Sequence, residues 1–329
     1  MNRVGVGVIG TGSFGRKHVA AYSSLPNARV VAVYDRDRER AERVAREFGV
    51  ETVCDSLEEL VGHPRVQAVS VVTSEANHVE PALAALEAGK PVLVEKPLAE
   101  SVEEARRLVA AAERTGGILM PGHILRFEVH YATVFEKIRR GEFGRLIAIV
   151  ARRNRTQELF EEYQRTHPAL ETMIHDIDVA LWFVGERPDR IHAWARNVGG
   201  KQHPNVLTAV LEFPSGVLAT LHSSWTLVER GGLAIDDGLD VVGTDLTMRL
   251  DFSKPALVGW GRDGFHAPDL QYEPILMGQG VGALREELAY FVSCIQRGER
   301  PTRVLPQDGL AAVEVAHAII AAAERNARG

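Results

Sequence analysis

The opening third of the chain alternates two kinds of segment, and that alternation constrains the fold more than any other feature. Continuous apolar runs, "VGVGVIG" (4–10), "ARVVAVY" (28–34), "VQAVSVV" (66–72), "KPVLVE" (90–95) and "GILMP" (117–121), are separated by helix-type runs such as "RERAERVAREFG" and "VEEARRLVAAAERTGG". Strands apolar at every position are covered on both faces, and amphipathic helices supply the cover. Several helical runs end in glycine, which tolerates the left-handed conformation at a helix C-terminus. The expected fold is therefore α/β, a doubly wound parallel sheet of the Rossmann type over residues 1–122. After "VHYATVFEKIRRGEFG" the pattern changes. "RLIAIVARRN", "DRIHAWARN", "NVLTAVLEF" and "GVLATLHSSWTL" alternate apolar with polar residues, and "EFPSGVL" reads as a hairpin. Residues 123–329 are expected to form an α+β domain with a large, mainly antiparallel open sheet, its two closing helices free to pack back on the first domain.

"GTGSFG" follows the first strand and sets Gly10, Gly12 and Gly15 in GxGxxG spacing, with Ser13 and Phe14 between them. That spacing supplies a tight turn, backbone approach to a pyrophosphate and close helix–strand packing. Asp35 ends the second strand, at the distance expected for a carboxylate bonding an adenosine ribose 2′-hydroxyl. The acid favours NAD, because it would repel a 2′-phosphate. Arg36 and Arg38 beside it keep NADP open.

Composition removes other classes. With 38 Lys and Arg against 44 Asp and Glu, a net charge of −6 argues against wholesale nucleic-acid binding. Cys54 and Cys294 are too few for a disulfide framework, and the twelve histidines show no HExxH pattern, so no metal is expected. No apolar segment is long enough to span a bilayer, and "MNRVGVGVIG" runs into a strand, not a signal peptide. A cytoplasmic, reducing setting is expected.

"VLVEKP" ends a buried strand in Glu95, Lys96 and Pro97. Ligands of open α/β sheets bind beyond the carboxyl ends of strands, so Lys96 is expected to project toward the nicotinamide and relay a proton to or from an alcohol. Proline after it restricts the lysine backbone and permits a cis bond. In "ETMIHDIDVALWF", at about 100° per residue, Glu171, His175, Asp178 and Trp182 share one helix stripe. Arg152, Arg153 and Arg155, at the end of the first strand of the second domain, form a guanidinium cluster of the kind that recognises phosphate or carboxylate, with Arg155 the substrate candidate.

Taken together, "GTGSFG", "VEKP" and "HDIDVALW" resemble the glucose–fructose oxidoreductase/inositol dehydrogenase/rhizopine-catabolism (Gfo/Idh/MocA) family, and the resemblance spans nearly the whole chain. It implies that Lys96 is the catalytic lysine, that Glu95 lies beside the nicotinamide ribose, and that His175 contacts the reacting hydroxyl. Glu171 stands where the family often has aspartate, and its longer side chain displaces the carboxylate. "TSEANH" resembles the family's loop after the fourth strand, which assigns Thr73 and His78 to the cofactor. "PGHILRF" resembles the nucleotide-sugar branch and brings Arg126 to the substrate. A homodimer or homotetramer through the second sheet is implied as well.

The expected activity is an NAD(P)-dependent dehydrogenase acting on a secondary alcohol of a sugar or cyclitol, with Lys96 and His175 meeting over one nicotinamide ring. The competing expectation is a non-catalytic dinucleotide-binding sensor on the same fold.

Overall fold

Six strands build the first sheet: β1 (Val4–Ile9), β2 (Ala28–Tyr34), β3 (Thr52–Val53), β4 (Ala68–Val71), β5 (Val92–Glu95) and β6 (Leu119–Gly122). All pair in parallel, in the order β3-β2-β1-β4-β5-β6. The crossovers are α1 (Ser13–Ser24), α2 (Arg38–Phe48), α3 (Leu57–Gly62), α4 (Val79–Glu87) and α5 (Val102–Thr115). Every residue of β1, β4 and β5 is buried, as continuous Val/Ile runs require. The two-residue β3 is too short to leave an apolar run in the sequence. Gly49 and Gly116 close α2 and α5 at φ of 67° and 66°, the left-handed cap their positions call for.

The structure, a computed structural model, describes residues 3–198, 200–228, 235–253, 257, 259–262, 264–266, 274–277 and 279–327. Its second sheet is preceded by α6 (Val129–Arg139) and begins with β7 (Leu146–Thr156). Then come α7 (Gln157–Tyr163), α8 (Pro168–Glu171), α9 (Met173–Val184), β8 (Arg190–Arg196), β9 (Val206–Glu212), β10 (Leu218–Leu227), β11 (Ile235–Gly243) and β12 (Thr247–Asp251). The order is β12-β11-β7-β10-β9-β8. The hairpin read from "EFPSGVL" is the antiparallel pair β9–β10, but β10 meets β7 in parallel, so the sheet is mixed at its centre. Ile149 and Ala151 on β7, Ala219 and Leu221 on β10, and Leu239 and Val241 on β11 are buried on one face, where α9 packs on β7 and β10. Two small ribbons follow, β13 (Gly259–Gly261) with β14 (Gly264–His266), and β15 (Ile275–Leu276) with β16 (Gln279–Gly280). The chain closes in α10 (Ala283–Arg297) and α11 (Pro306–Ala327).

Two units result: Met1–Phe127 with Gln271–Leu310, and Glu128–Leu270 with Ala311–Gly329. In the first, Leu284, Leu288, Phe291 and Val292 of α10 join the apolar cluster of Val6, Val8, Val19 and Tyr22.

Candidate active site

Strand order in the first unit reverses between β1 and β4, and the carboxyl edge at that switch is where such sheets bind ligands. The glycine turn lies there. Gly10 adopts a φ of 90°, and a Cβ on Gly15 would sit 2.0 Å from the Gly10 carbonyl oxygen. Neither position tolerates a side chain, whereas a Cβ on Gly12 would meet nothing within 4 Å. Helices α2, α3 and α5 carry side-chain caps from Asp37, Ser56 and Ser101. Helix α1 has none, and no acid in its first turn. Bare amides at that helix start, beside open space over Gly12, fit the pyrophosphate of a dinucleotide. Ser13 is exposed in this turn, and Phe14 lies edge-on to His18 at 5.2 Å.

The edge of β5 answers why a buried strand should end in a lysine. Lys96 is half-buried, and its backbone is fixed on both sides. On one side Glu95, 6% exposed, accepts from Lys96 N through Oε2 at 3.2 Å and lies 3.1 Å from His18 Nε2 through Oε1. His18 is fully buried, with Nδ1 3.1 Å from Ser70 Oγ, which in turn lies 3.3 Å from Tyr22 Oη. With its proton on Nε2, His18 donates to Glu95 and accepts from Ser70. On the other side His78 Nδ1 donates to Pro97 O at 2.8 Å, and Nε2 is 3.2 Å from Thr73 O. Burial holds the His78 imidazole below its ordinary value, despite its two carbonyl neighbours and nearby Glu95 and Glu75. Through its contact with Pro97 O, His78 helps hold the lysine loop. The Lys96–Pro97 bond is cis. Thr73 Oγ1 donates to Asn77 O at 2.8 Å, tying the loop after β4 to itself. The sequence reading missed His18 and Ser70. The available signal was the stripe Phe14, His18, Tyr22, spaced by four along α1, in which a histidine is out of place unless it has partners.

In the second unit the "ETMIHDID" stretch is two helices, not one. Thr172, at φ −110°, separates α8 from α9. Its hydroxyl is 3.2 Å from Ser223 Oγ and accepts from Trp225 Nε1 at 3.2 Å, anchoring the break on β10. Glu171 is buried at the end of α8, and His175 is half-buried in the first turn of α9. Trp182, expected along the same stripe, stacks on Phe135 of α6 at 4.2 Å.

The arginine cluster is internally matched. Arg153, 2% exposed, donates from Nε and Nη2 to Asp176 at 3.1 and 2.8 Å, and from Nη1 to Asp237 at 2.8 Å. Burial raises the Asp176 carboxyl, with Arg153 opposing it. Arg155 donates to the same Asp237 from Nη2 at 3.1 Å, and Arg152 reaches Asp236 and Asp251 at 3.0 and 2.9 Å. Asp237 is thus the partner the structure gives the Arg155 guanidinium. Arg126 is likewise buried and donates from Nη1 to Arg303 O at 2.8 Å and Asp308 at 3.0 Å. It ties the segment after β6 to the start of α11.

Residues 4–123 match the oxidoreductase family with an NAD-binding Rossmann fold, and residues 131–249 match the GFO/IDH/MocA C-terminal domain. An inositol 2-dehydrogenase of Rubrobacter xylanophilus is 30% identical over 324 residues, 97% of this chain and 90% of that one. The chain belongs to the Gfo/Idh/MocA family. A 1,5-anhydro-D-fructose reductase of Ensifer adhaerens is 32% identical over 255 residues, 74% of each chain. Among solved structures, the UDP-N-acetylglucosamine 3-dehydrogenase GnnA of Acidithiobacillus ferrooxidans superposes with a TM-score of 0.81 at 27% identity, covering 99% of both chains. As a Gfo/Idh/MocA protein the chain is an NAD(P)-dependent oxidoreductase of CH–OH donors. No helix among the described residues is long and apolar enough to cross a membrane.

Proposed function

We propose that the chain oxidises a ring secondary alcohol of a neutral cyclitol or hexose. When bound, the nicotinamide supplies the hydride acceptor. Lys96 takes up the hydroxyl proton, His175 polarises the incipient carbonyl, and Glu171 orients His175. Gly10, Gly12, Gly15, Ser13 and Phe14 seat the dinucleotide, Asp35 and Arg36 meet its adenosine end, and Glu95 lies beside its nicotinamide ribose. The observation that carries this reading is the doubly braced Lys96 backbone, since a lysine held this way at a ligand-binding sheet edge suits a reacting group and has no use in a surface loop. An uncharged substrate is favoured because Arg152, Arg153 and Arg155 are matched by aspartates, which leaves them poorly suited to a phosphate or carboxylate. The relatives named for inositol and 1,5-anhydrofructose support the same class.

We place the enzyme in the cytoplasm, in keeping with its two free, buried cysteines, and as a dimer or tetramer through the second sheet. Inositols, hexoses, sugar acids and UDP-sugars, screened for NADH production, should give turnover with a neutral ring polyol. On that substrate Lys96→Met should lower kcat by about 10²-fold or more while NADH still binds by calorimetry. A variant keeping most of its kcat would remove Lys96 from the chemistry.

A further inference from the structure

Strands β15 and β16 form a short ribbon whose apolar side chains face solvent. Ile275 pairs with Gly280 and Leu276 with Gln279, and Val281 N donates to Pro274 O at 2.8 Å, which closes the base. Neighbouring residues of a strand point to opposite faces. Ile275 and Leu276 are nonetheless both exposed, and Met277, next in the chain, is 94% exposed. Its φ of 51° is the left-handed conformation in which glycine or asparagine is usual at a hairpin turn. A methionine here bears a conformational cost and exposes an apolar side chain as well. A turn that served only to reverse the chain would bear neither.

The ribbon stands at the ligand-binding edge of the first unit. It leads into α10, and β16 packs against α1. At the other end Asn27, just past α1, donates from Nδ2 to Gln296 in the last turn of α10 at 2.9 Å. The two helices therefore run side by side in one direction, and both begin at the edge that carries the glycine turn. Helix α10 also packs on Ile124–Phe127, the turn after β6, which places it on the Lys96 side of α1 and away from α2. Gly282 joins ribbon to helix at φ 100° and ψ −168°, a conformation open almost to glycine alone. A Cβ on Gly280 would meet nothing within 4 Å, so packing does not call for glycine there. Small residues at the base of a projecting element suit a pivot. From Gly282 to Met277 the chain extends about 16 Å, against the roughly 8–10 Å between packed helices, so the tip can reach the first turn of α1 and the strand ends beside it.

We propose that the β15–β16 ribbon is a flap that closes over the nicotinamide half of the bound dinucleotide, with Met277 laid against it. The inference rests on the dinucleotide reading above and deepens it. An unbranched thioether adapts to a planar ring more readily than a branched side chain does. Closure takes exposed apolar surface out of water. It also shuts water from Lys96, which strengthens the lysine's interaction with the reacting hydroxyl.

The test reads the methionine itself and needs no substrate. In the full chain under dilute hydrogen peroxide, sulfoxide formation at Met277 is followed by peptide mass spectrometry against added free methionine. A flap closed about nine-tenths of the time under saturating NADH should slow the reaction about tenfold. Saturating 5′-AMP, which fills only the adenosine end, should leave it unchanged. In calorimetry, Leu276→Ser with Met277→Ser should weaken NADH by about tenfold and 5′-AMP not at all. Three outcomes would overturn the flap and leave the dehydrogenase reading intact: oxidation unaffected by bound NADH, oxidation slowed equally by 5′-AMP, or oxidation slowed only by raising the protein concentration, the mark of a second copy on the ribbon. Failure of NADH and 5′-AMP alike to bind would overturn both.

Discussion

At His167, burial beside His203 and His317 pushes the imidazole down from 6.5 to about 4. The ring's Nδ1 accepts from Ala169 N at 3.1 Å and caps α8, a role open only to the neutral form. The folded value lies below the unfolded one, so as pH falls the unfolded chain takes up this proton first. The stability linked to His167 is therefore fully present above about pH 6.5 and is lost as pH falls toward 4. Thermal melts should show Tm declining across that window, with a shallower decline in His167→Gln; equal slopes in the two proteins would exclude the histidine as the source. Single residues were also where sequence reading was weakest. The run "ARRNR" looks like a patch of free cations because the matching carboxylates, Asp176 and Asp237, stand 23 and 84 residues further along the chain. No local pattern couples such distant charges. Lys96 was legible for the opposite reason: a lysine and proline terminating an all-apolar strand is a contradiction visible within six residues of sequence.

Elements were easier to read than residues wherever one periodicity ran unbroken. Strand β2 occupies the 28–34 run, and β1 fills all but the last residue of the 4–10 run. Errors fell where a distant partner decides the geometry: the break at Thr172, held by Ser223 and Trp225, and the parallel pairing of β7 with β10, which no turn announces. The same distance dependence governs how α1 acts on β5. His18, from the helix behind the glycine turn, holds Glu95 and through it the backbone of Lys96. A reacting group displaced by about 1 Å can lose on the order of 10² in rate. His18→Phe should thus lower kcat by about 10- to 10²-fold with KM and NADH affinity little changed, and His18→Gln, which can still donate to Glu95, should recover part of the loss. If both substitutions raise KM and leave kcat alone, the chain from Ser70 to Glu95 serves packing only.

On the scale of the whole molecule, the second sheet has one face packed by α9 and another that is not. Val150, Leu218 and Trp194 project from the second face with 46%, 47% and 46% of their surface exposed. Exposed apolar side chains on one face of a sheet are suited to a second copy of the same surface. Light scattering after size exclusion should give the mass of a dimer or tetramer for the wild type and of a monomer for Val150→Glu with Leu218→Glu. An unchanged mass would place the contact elsewhere. The return of α10 to the first unit bears on how the protein is made. Val6 and Tyr22 leave the ribosome early, but Phe291 and Val292, which share their cluster, emerge only near the end of synthesis. The nascent dinucleotide-binding region must therefore wait, with part of its oily interior uncovered, while the whole second sheet is translated.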